Sequence, residues 1–259
     1  MPKSADVQNM FDRIAGRYDL LNRVMTGGVD RRWRRAAARA VGAGPGVRAL
    51  DVCCGTGDLS FALADTGAEV TGLDFSANML EVARRRGGQR SAEGKAKGSA
   101  TGVRAVVFIQ GDALALPFDD NSFDALTVAF GVRNVESLDR AFAEFARVLK
   151  PGGVLGCLEI TRPRSRMAGA FYRVWFDRVV PVVGGWISGD REAYSYLPQS
   201  TLNFPRPPAL KELLEQAGFR DVTWRTFGGG IVALHRAVVA EPGSGSTEQS
   251  APSAETALR

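Results

Sequence analysis

Five short runs rich in β-branched residues recur along the chain: VRALDV (47–52), EVTGLD (69–74), VRAVVFIQ (103–110), FDALTVAF (123–130) and GVLGCLEI (153–160). LSFALAD lies between the first two, and SANMLEVARRR follows the second. Between the last two, Leu138, Phe142, Phe145 and Leu149 fall at helical spacing, with Ser137 placed to cap the start and Pro151-Gly152 to stop the helix. Strands that alternate with helices predict an α/β fold with a Rossmann-like, doubly wound and mostly parallel sheet, because a parallel return needs a crossover. In such a sheet the ligand lies beyond the carboxyl ends of the strands.

PPALKELLEQAG reads as a late helix, with proline inside its start and glycine past its end. VTWRTF and GIVALHRAVV follow it with no helix between them, which predicts a C-terminal antiparallel hairpin. Residues 5–43 read as two or three helices carrying YDLLNRVM and the basic run RRWRR, and residues 161–204 as an insertion rich in arginine and aromatics. The expected organisation is an N-terminal helical lid over 1–43, a catalytic domain over 44–239 whose 161–204 insertion also covers the crevice, and a disordered tail over 240–259. RGGQRSAEGKAKGSATG (86–102) reads as a flexible loop, since glycine and serine leave it little to pack.

The turn DVCCGTGD (51–58) closes the first strand at the ligand end. A dinucleotide fingerprint would need a third glycine where Ser60 stands, and a P-loop would need G-K-(S/T), which is absent. Asp51 and Asp58 flank a turn in which Gly55 and Gly57 let a ligand approach the backbone, an arrangement that repels pyrophosphate and favours a cation. S-adenosylmethionine carries a sulfonium, an ammonium, a ribose diol and an adenine, and no phosphate. Asp74 ends the second strand, where a carboxylate accepts from both ribose hydroxyls, and Asp112 in GDALALPF follows the third strand, suited to the adenine amino group.

The remaining composition narrows the chemistry. One histidine, His235, excludes histidine-cluster mechanisms and two-histidine metal sites, so no metal is expected. His235 lies in an apolar run and reads as structural. Three cysteines without CxxC spacing argue against zinc or a disulfide framework and fit a reducing cytoplasm; Cys53 and Cys54 read as small residues under the turn. The N-terminus lacks the apolar core of a signal peptide, and no apolar run approaches the roughly 18 residues of a membrane span. The net charge of +5 permits an anionic surface without requiring one.

With these features in place, the chain over roughly residues 5–239 resembles the ubiquinone/menaquinone biosynthesis C-methyltransferases, the demethylmenaquinone methyltransferase family. The resemblance rests on FDRIAGRYDLLNRVM with DRRWRR, on DVCCGTGD, on LPFDDNSFD with FGVRNV, on RVLKPGGVLGCLEITRP, on YSYLPQST and on GGGIVALHR. It implies a class I S-adenosylmethionine-dependent methyltransferase that methylates a ring carbon of a polyprenylated hydroquinone. The reaction expected here is demethylmenaquinol to menaquinol; methylation of the benzoquinol ring of ubiquinone synthesis, or of another small phenol, is the alternative. Cofactor contacts carry over onto Thr56, Asp74, Asp112 and Ala113. Ala129 stands where the family's S-F-G-(L/V)-R-N motif has serine, so that contact is lost or made by backbone; Thr161 likewise replaces a frequent serine.

A ring carbon becomes nucleophilic once the adjacent phenol, of pKa about 10, gives up its proton. Arg133 and Asn134, just past the fourth strand, are placed to act there, Arg133 by stabilising the phenolate electrostatically. A guanidinium is too basic to act as the base, which leaves water or a polar neighbour such as Tyr18. Tyr18-Asp19 reads equally as an anchor between lid and core. Tyr194 and Tyr196 are candidates to line the quinone pocket. The cofactor set is Asp51, Gly55, Thr56, Gly57, Asp74, Asp112, Ala113 and Ala129; the catalytic set is Arg133, Asn134 and Tyr18. A bilayer substrate implies transient contact of a cytoplasmic enzyme with the inner face of the membrane. RRWRR and the arginines among Met167, Phe171 and Trp175 suit that contact, although solvated helix faces explain them equally. No nucleic-acid partner is expected, because the basic stretch around 84–104 lacks interleaved aromatics; an RNA methyltransferase or a silent cofactor-binding scaffold are the rivals from other classes. A homodimer is compatible with the sequence, which does not specify one.

Overall fold

The computed structural model describes residues 12–13, 15–96, 105–163, 201 and 203–241. Seven strands form one sheet in the order β3-β2-β1-β4-β5-β7-β6. They are β1 (Arg48–Val52), β2 (Glu69–Asp74), β3 (Val107–Gln110), β4 (Phe123–Ala129), β5 (Leu149–Ile160), β6 (Phe219–Phe227) and β7 (Val232–Val239). β1 to β5 pair in parallel, while β7 runs antiparallel to both β5 and β6. The doubly wound sheet with its terminal hairpin is therefore present.

Among the described residues the α-helices are α1 (Tyr18–Thr26), α2 (Asp30–Ala40), α3 (Asp58–Ala64), α4 (Ala77–Ala96), α5 (Leu138–Val148) and α6 (Pro207–Gln216). Side chains alternate across the strands, so each face of the sheet buries its own set. Leu50, Val52, Leu126, Val128 and Leu155 pack with Phe142, Phe145 and Val148 of α5 and with Leu210 and Leu214 of α6. On the other face, Ala49, Ala125 and Leu158 meet Leu59 and Leu63 of α3 and Ala36, Ala37 and Ala38 of α2. The stripe of small residues in RRAAARA is thus the buried side of α2. This helix belongs to the body of the sheet, and a lid boundary at residue 43 would cut it from its partners.

Other boundaries shift for local reasons. Ser137 does cap α5, its hydroxyl accepting from the Arg140 N–H at 3.3 Å. Leu149, expected at the end of that helix, instead starts β5, opposite Phe123 of β4. The expected loop at 86–102 is helical as far as Ala96. Three glycines there, Gly87, Gly88 and Gly94, cost helix propensity, but arginines tie the helix down: Arg84 donates to the Phe108 carbonyl at 2.9 Å, Arg86 to Asp58 at 2.5 Å, and Arg90 pairs with Asp65. Arg86 and Arg90 also lie over the Phe61 ring at 5.3 and 4.9 Å. Tertiary contacts override propensity here. Most of the 161–204 insertion, including Met167, Phe171, Trp175, Tyr194 and Tyr196, and the tail after Glu241 lie outside the described residues.

Candidate active site

β1 pairs with β2 on one side and β4 on the other, so the chain diverges at this strand and leaves a crevice at its carboxyl end. A cavity of about 490 Å³ occupies that position, within the range of small-molecule sites. Gly55, Asp74, Asp112, Ala113, Ala129 and Asn134 line it, with Cys53, Met79, Phe130 and Glu136 among others. Six of the residues expected at the site are therefore brought together. Every charged side chain among the described lining residues is a carboxylate: Asp74, Asp112 and Glu136.

The turn explains part of this arrangement. Gly57 has φ +87° and directly precedes α3, a left-handed conformation that favours glycine. Both glycine amides of the turn are already engaged. Gly55 N–H donates to Asp74 Oδ2 at 2.7 Å, and Gly57 N–H to the Cys54 carbonyl at 2.9 Å. A phosphate would find neither available. Across the cavity, Gly131 approaches Cys53 so closely that an added Cβ would lie 2.3 Å from the Cys53 Cβ. A side chain at 131 would push the two walls apart.

Asp51 does not face the cavity. It is 1 % exposed and accepts from Ser60 Oγ at 2.6 Å and Thr127 Oγ1 at 2.8 Å, joining α3 and β4 to β1. Burial pushes its carboxyl up to about 6, against those two hydrogen bonds. Asp58 is likewise spoken for, pairing with Arg86 at 2.5 Å and lying 3.9 Å from Arg34; despite burial, these cations hold it below the usual carboxylate range. The expectation that both flanking aspartates face the ligand is thus corrected: a buried carboxylate needs hydrogen-bond donors or a counter-charge, and the fold supplies them internally. Thr56 and Gly57 also turn away from the cavity. The Thr56 hydroxyl donates to Asp19 at 2.5 Å, and Gly57 backs onto Phe61 and Phe108.

Asp74 keeps the expected position. Its oxygens accept from Gly55 N–H at 2.7 Å and Ser76 N–H at 3.0 Å, and burial still raises its pKa to about 6. Asp112 stands exposed at the opposite wall, its Oδ1 accepting from Leu114 N–H at 2.9 Å, with Ala113 buried beside it. At Ala129 a methyl group faces the cavity where a hydroxyl was expected from the family pattern.

Arg133 is where the structure departs most from the sequence reading. The side chain is buried and pairs with Glu159 at 2.6 Å, its Nη1 also donating to the Phe130 carbonyl at 2.5 Å. Glu159 further accepts from the Arg133 N–H at 3.3 Å and the Ile160 N–H at 2.8 Å. Arg133 therefore lies beneath the Phe130–Asn134 wall and not in the cavity, because a buried guanidinium settles on its counter-charge. These bonds hold the guanidinium on the Glu159 side, and the expected contact with a phenolate is not among them. Asn134 does line the cavity, and its Oδ1 is buried with no hydrogen-bond partner among the described residues. Tyr18 opens α1, but its side chain lies outside the described residues.

Sequence reasoning missed Glu159, an isolated acid in the apolar run GVLGCLEI, which is the signal that could have revealed it. It also passed over Asp12 and Arg86. Cys54 and Cys157 are buried packing residues, while Cys53 is half-buried and lines the cavity. Burial, reinforced by Asp74, raises the Cys53 and Cys54 thiols well above their ordinary range. His235 is 1 % exposed, stacked on Trp224, with Nε2 3.1 Å from the Pro207 carbonyl; burial lowers its pKa to about 4. It lies away from the cavity. Among the described residues, no group of three or more metal-ligating side chains occurs, and no helix is long and apolar enough to cross a membrane.

The cyclase SpnF has a similar fold, with a TM-score of 0.66 over 93 % of this chain and 98 % of that one, at 22 % identity. A SAM-dependent methyltransferase from Thermotoga maritima gives 0.59 over 89 % and 98 % at 21 % identity. These two show the fold alone, which hosts more than one chemistry. The demethylmenaquinone methyltransferase of Thermus thermophilus is 46 % identical over 228 residues, covering 87 % of this chain and 98 % of the relative. The profile of the ubiE/COQ5 methyltransferase family matches residues 1–239, and the chain belongs to that family.

Proposed function

We propose that the chain transfers a methyl group from S-adenosylmethionine to the ring carbon of demethylmenaquinol, giving menaquinol late in menaquinone biosynthesis. The observation that carries this reading is the cavity itself. It lies at the ligand end of a methyltransferase sheet and carries carboxylates as its only charged side chains among the described lining residues. The Thermus thermophilus relative, matched over 98 % of its own length and named for that reaction, supports the substrate.

In this reading Asp74 accepts from the ribose hydroxyls, Asp112 from the adenine amino group, and Ala113 and the Gly55 turn offer backbone. The acidic wall suits the sulfonium and ammonium charges. When bound, the cosubstrate supplies a methyl group already activated by its sulfonium. The chain's own task is to hold acceptor carbon, methyl and sulfur in line and to exclude water. Asn134 presents its amide to the acceptor as a hydrogen-bonding group for the phenol oxygen. The Glu159–Arg133 pair keeps the Phe130–Asn134 wall in place. The proton leaves the phenol to water or to a polar neighbour, for which Tyr18 is the candidate.

The membrane contact belongs to the same proposal. Arg31, Arg32 and Arg35 stand exposed on the outer side of α2, while Trp33 is partly buried near Phe227, at 6.5 Å between ring centroids. Such a cationic face suits anionic headgroups, from which a polyprenylated substrate would be drawn. The segment before α2 and the 161–204 insertion serve, on this reading, as covers of the crevice.

Purified protein incubated with labelled S-adenosylmethionine and short-chain demethylmenaquinol, under reducing conditions, should yield labelled menaquinol. Exclusive labelling of the benzoquinol analogue would overturn the substrate assignment, and labelling of neither would overturn the methyl-transfer reading.

A further inference from the structure

Two carboxylates of the N-terminal segment reach the turns that shape the cavity. Asp19, on α1, accepts from Thr56 Oγ1 at 2.5 Å and pairs with Arg86 Nη1 at 2.9 Å. Arg86 donates in turn to the Thr56 carbonyl at 2.7 Å and to Asp58 at 2.5 Å. Thr56 sits between Gly55 and Gly57, so the turn is gripped through both its side chain and its backbone. The second carboxylate, Asp12, accepts from the hydroxyl of Ser76, and Asn78 donates to the Asp12 carbonyl at 3.4 Å. Ser76 is the residue whose N–H holds Asp74 Oδ1. One short stretch of chain is therefore fastened to both turns, the one after β1 and the one after β2. Neither Asp12 nor Asp19 lines the cavity.

We propose that Asp19 and Asp12 are positioning residues, a two-point clasp that presets the spacing between the Gly55 turn and Asp74 before the cosubstrate arrives. A turn containing Gly55 and Gly57, both at positive φ, has much conformational freedom to lose when a ligand orders it. Order imposed in advance removes that cost from binding. The Thr56 hydroxyl, on this account, serves the clasp and does not touch the ligand. The inference rests on reading the cavity as the S-adenosylmethionine site.

The test uses calorimetric titration of S-adenosylmethionine into the full-length chain, its Asp19→Ala and Thr56→Val variants, and the double variant. Thr56→Val removes one hydroxyl and keeps the shape, so it reports even where Asp19→Ala folds poorly. Each single variant should weaken Kd about tenfold or more, as expected for loss of a hydrogen bond to a charged group. The double variant should be scarcely worse than the weaker single, KM for S-adenosylmethionine should rise more than kcat falls, and amides at 54–57 should exchange hydrogen faster. Wild-type affinity in both singles overturns the clasp. Additive losses also overturn it, since they make Thr56 a direct ligand contact, and a collapse of kcat at unchanged Kd does so by moving Asp19 into the chemistry. If the wild-type chain itself fails to bind S-adenosylmethionine, the cavity reading falls, and the clasp with it.

Discussion

Replacing Glu159 by alanine tests what Arg133 is for. The pair is 2.6 Å apart, with side chains 6 % and 2 % exposed, so neither partner can turn to water for solvation. Removing the carboxylate leaves a guanidinium in the interior without its counter-charge, a change that costs about 3–5 kcal/mol. Native stability is about 5–15 kcal/mol in total, so the variant should still fold at 25 °C. With a urea m-value of about 3 kcal/mol per M, a loss of about 4 kcal/mol lowers the unfolding midpoint by more than about 1 M. Arg133→Ala should lose a comparable amount, because it strands Glu159 instead.

The double replacement Arg133→Met with Glu159→Leu separates the structural role from the chemical one. Two apolar side chains of similar bulk restore the interior, and such exchanges are often neutral or stabilising. Its stability should return to within about 1 kcal/mol of wild type, a coupling of at least about 2 kcal/mol in the cycle. S-adenosylmethionine affinity should recover with it. Turnover that recovers too would confine Arg133 to holding the wall; turnover that stays low would show that its charge acts on the reaction through the wall. The reasoning fails if Glu159→Ala unfolds at the wild-type midpoint, for then the ion pair is not what fixes Arg133 beneath the cavity.

Asp74→Asn should weaken S-adenosylmethionine binding about tenfold to a hundredfold, the worth of a charge-assisted hydrogen bond, and calorimetry reads this directly. Because burial holds the Asp74 carboxyl at about 6, cosubstrate affinity in the wild type should fall as pH drops through that value; a Kd flat down to pH 5 would refute the assignment. Ala129→Ser restores the hydroxyl that the family pattern has there and should tighten S-adenosylmethionine several-fold, by about 1 kcal/mol; unchanged affinity would show that a backbone contact already suffices. His235, at about 4 in the fold against 6.5 free, contributes stability above pH 6.5 that is lost as pH falls through about 4, in total about 3 kcal/mol. Asp51 and Asp74, both raised to about 6, work in the opposite sense, contributing below about 3.8 and losing that as pH rises through 6. Comparing urea midpoints of wild type and His235→Leu between pH 7 and pH 4 isolates the histidine, and the variant should lose less.

The alternation of strands and helices was legible because period-two and period-3.6 patterns are local properties, as were the Ser137 cap and the closing hairpin. The ends of strands could be read as well, and with them the positions of Asp74, Asp112 and Asn134. What could not be read was which acids the fold consumes. Asp51 and Asp58 flank the turn as Asp74 does, yet Ser60, Thr127 and Arg86 reach the first two from segments 9 to 76 residues away, and a linear reading gives no sign of it. Arg133 failed for the same reason, since its partner Glu159 comes from the neighbouring strand. Helix α4 outran its propensity because its arginines find Asp58 and Phe61 on α3 and Asp65 at that helix's C-terminal end.

These corrections change how the site discriminates between nucleosides. Preference for a cation was expected from Asp51 and Asp58, which flank the turn; the structure instead leaves Asp74, Asp112 and Glu136 facing the cavity and withdraws the amides of Gly55 and Gly57 from any incoming phosphate. A cation about 6 Å from a carboxylate at an effective dielectric near 20 gains about 2–3 kcal/mol, and an anion loses as much. Asp112 and Glu136 are screened by water, so most of this falls to Asp74. On the proposed reading, discrimination has two sources, repulsion of negative charge and denial of the donors that phosphate requires, and Asp74 would supply both, as the charge and as the acceptor that occupies Gly55 N–H. S-adenosylmethionine should therefore bind while NADH does not, and Asp74→Ala should weaken the first without admitting the second unless Gly55 N–H, once released, turns toward the cavity. Calorimetry of both ligands against both proteins decides it: NADH binding to the wild type, with S-adenosylmethionine failing to bind, would refute this account of the turn.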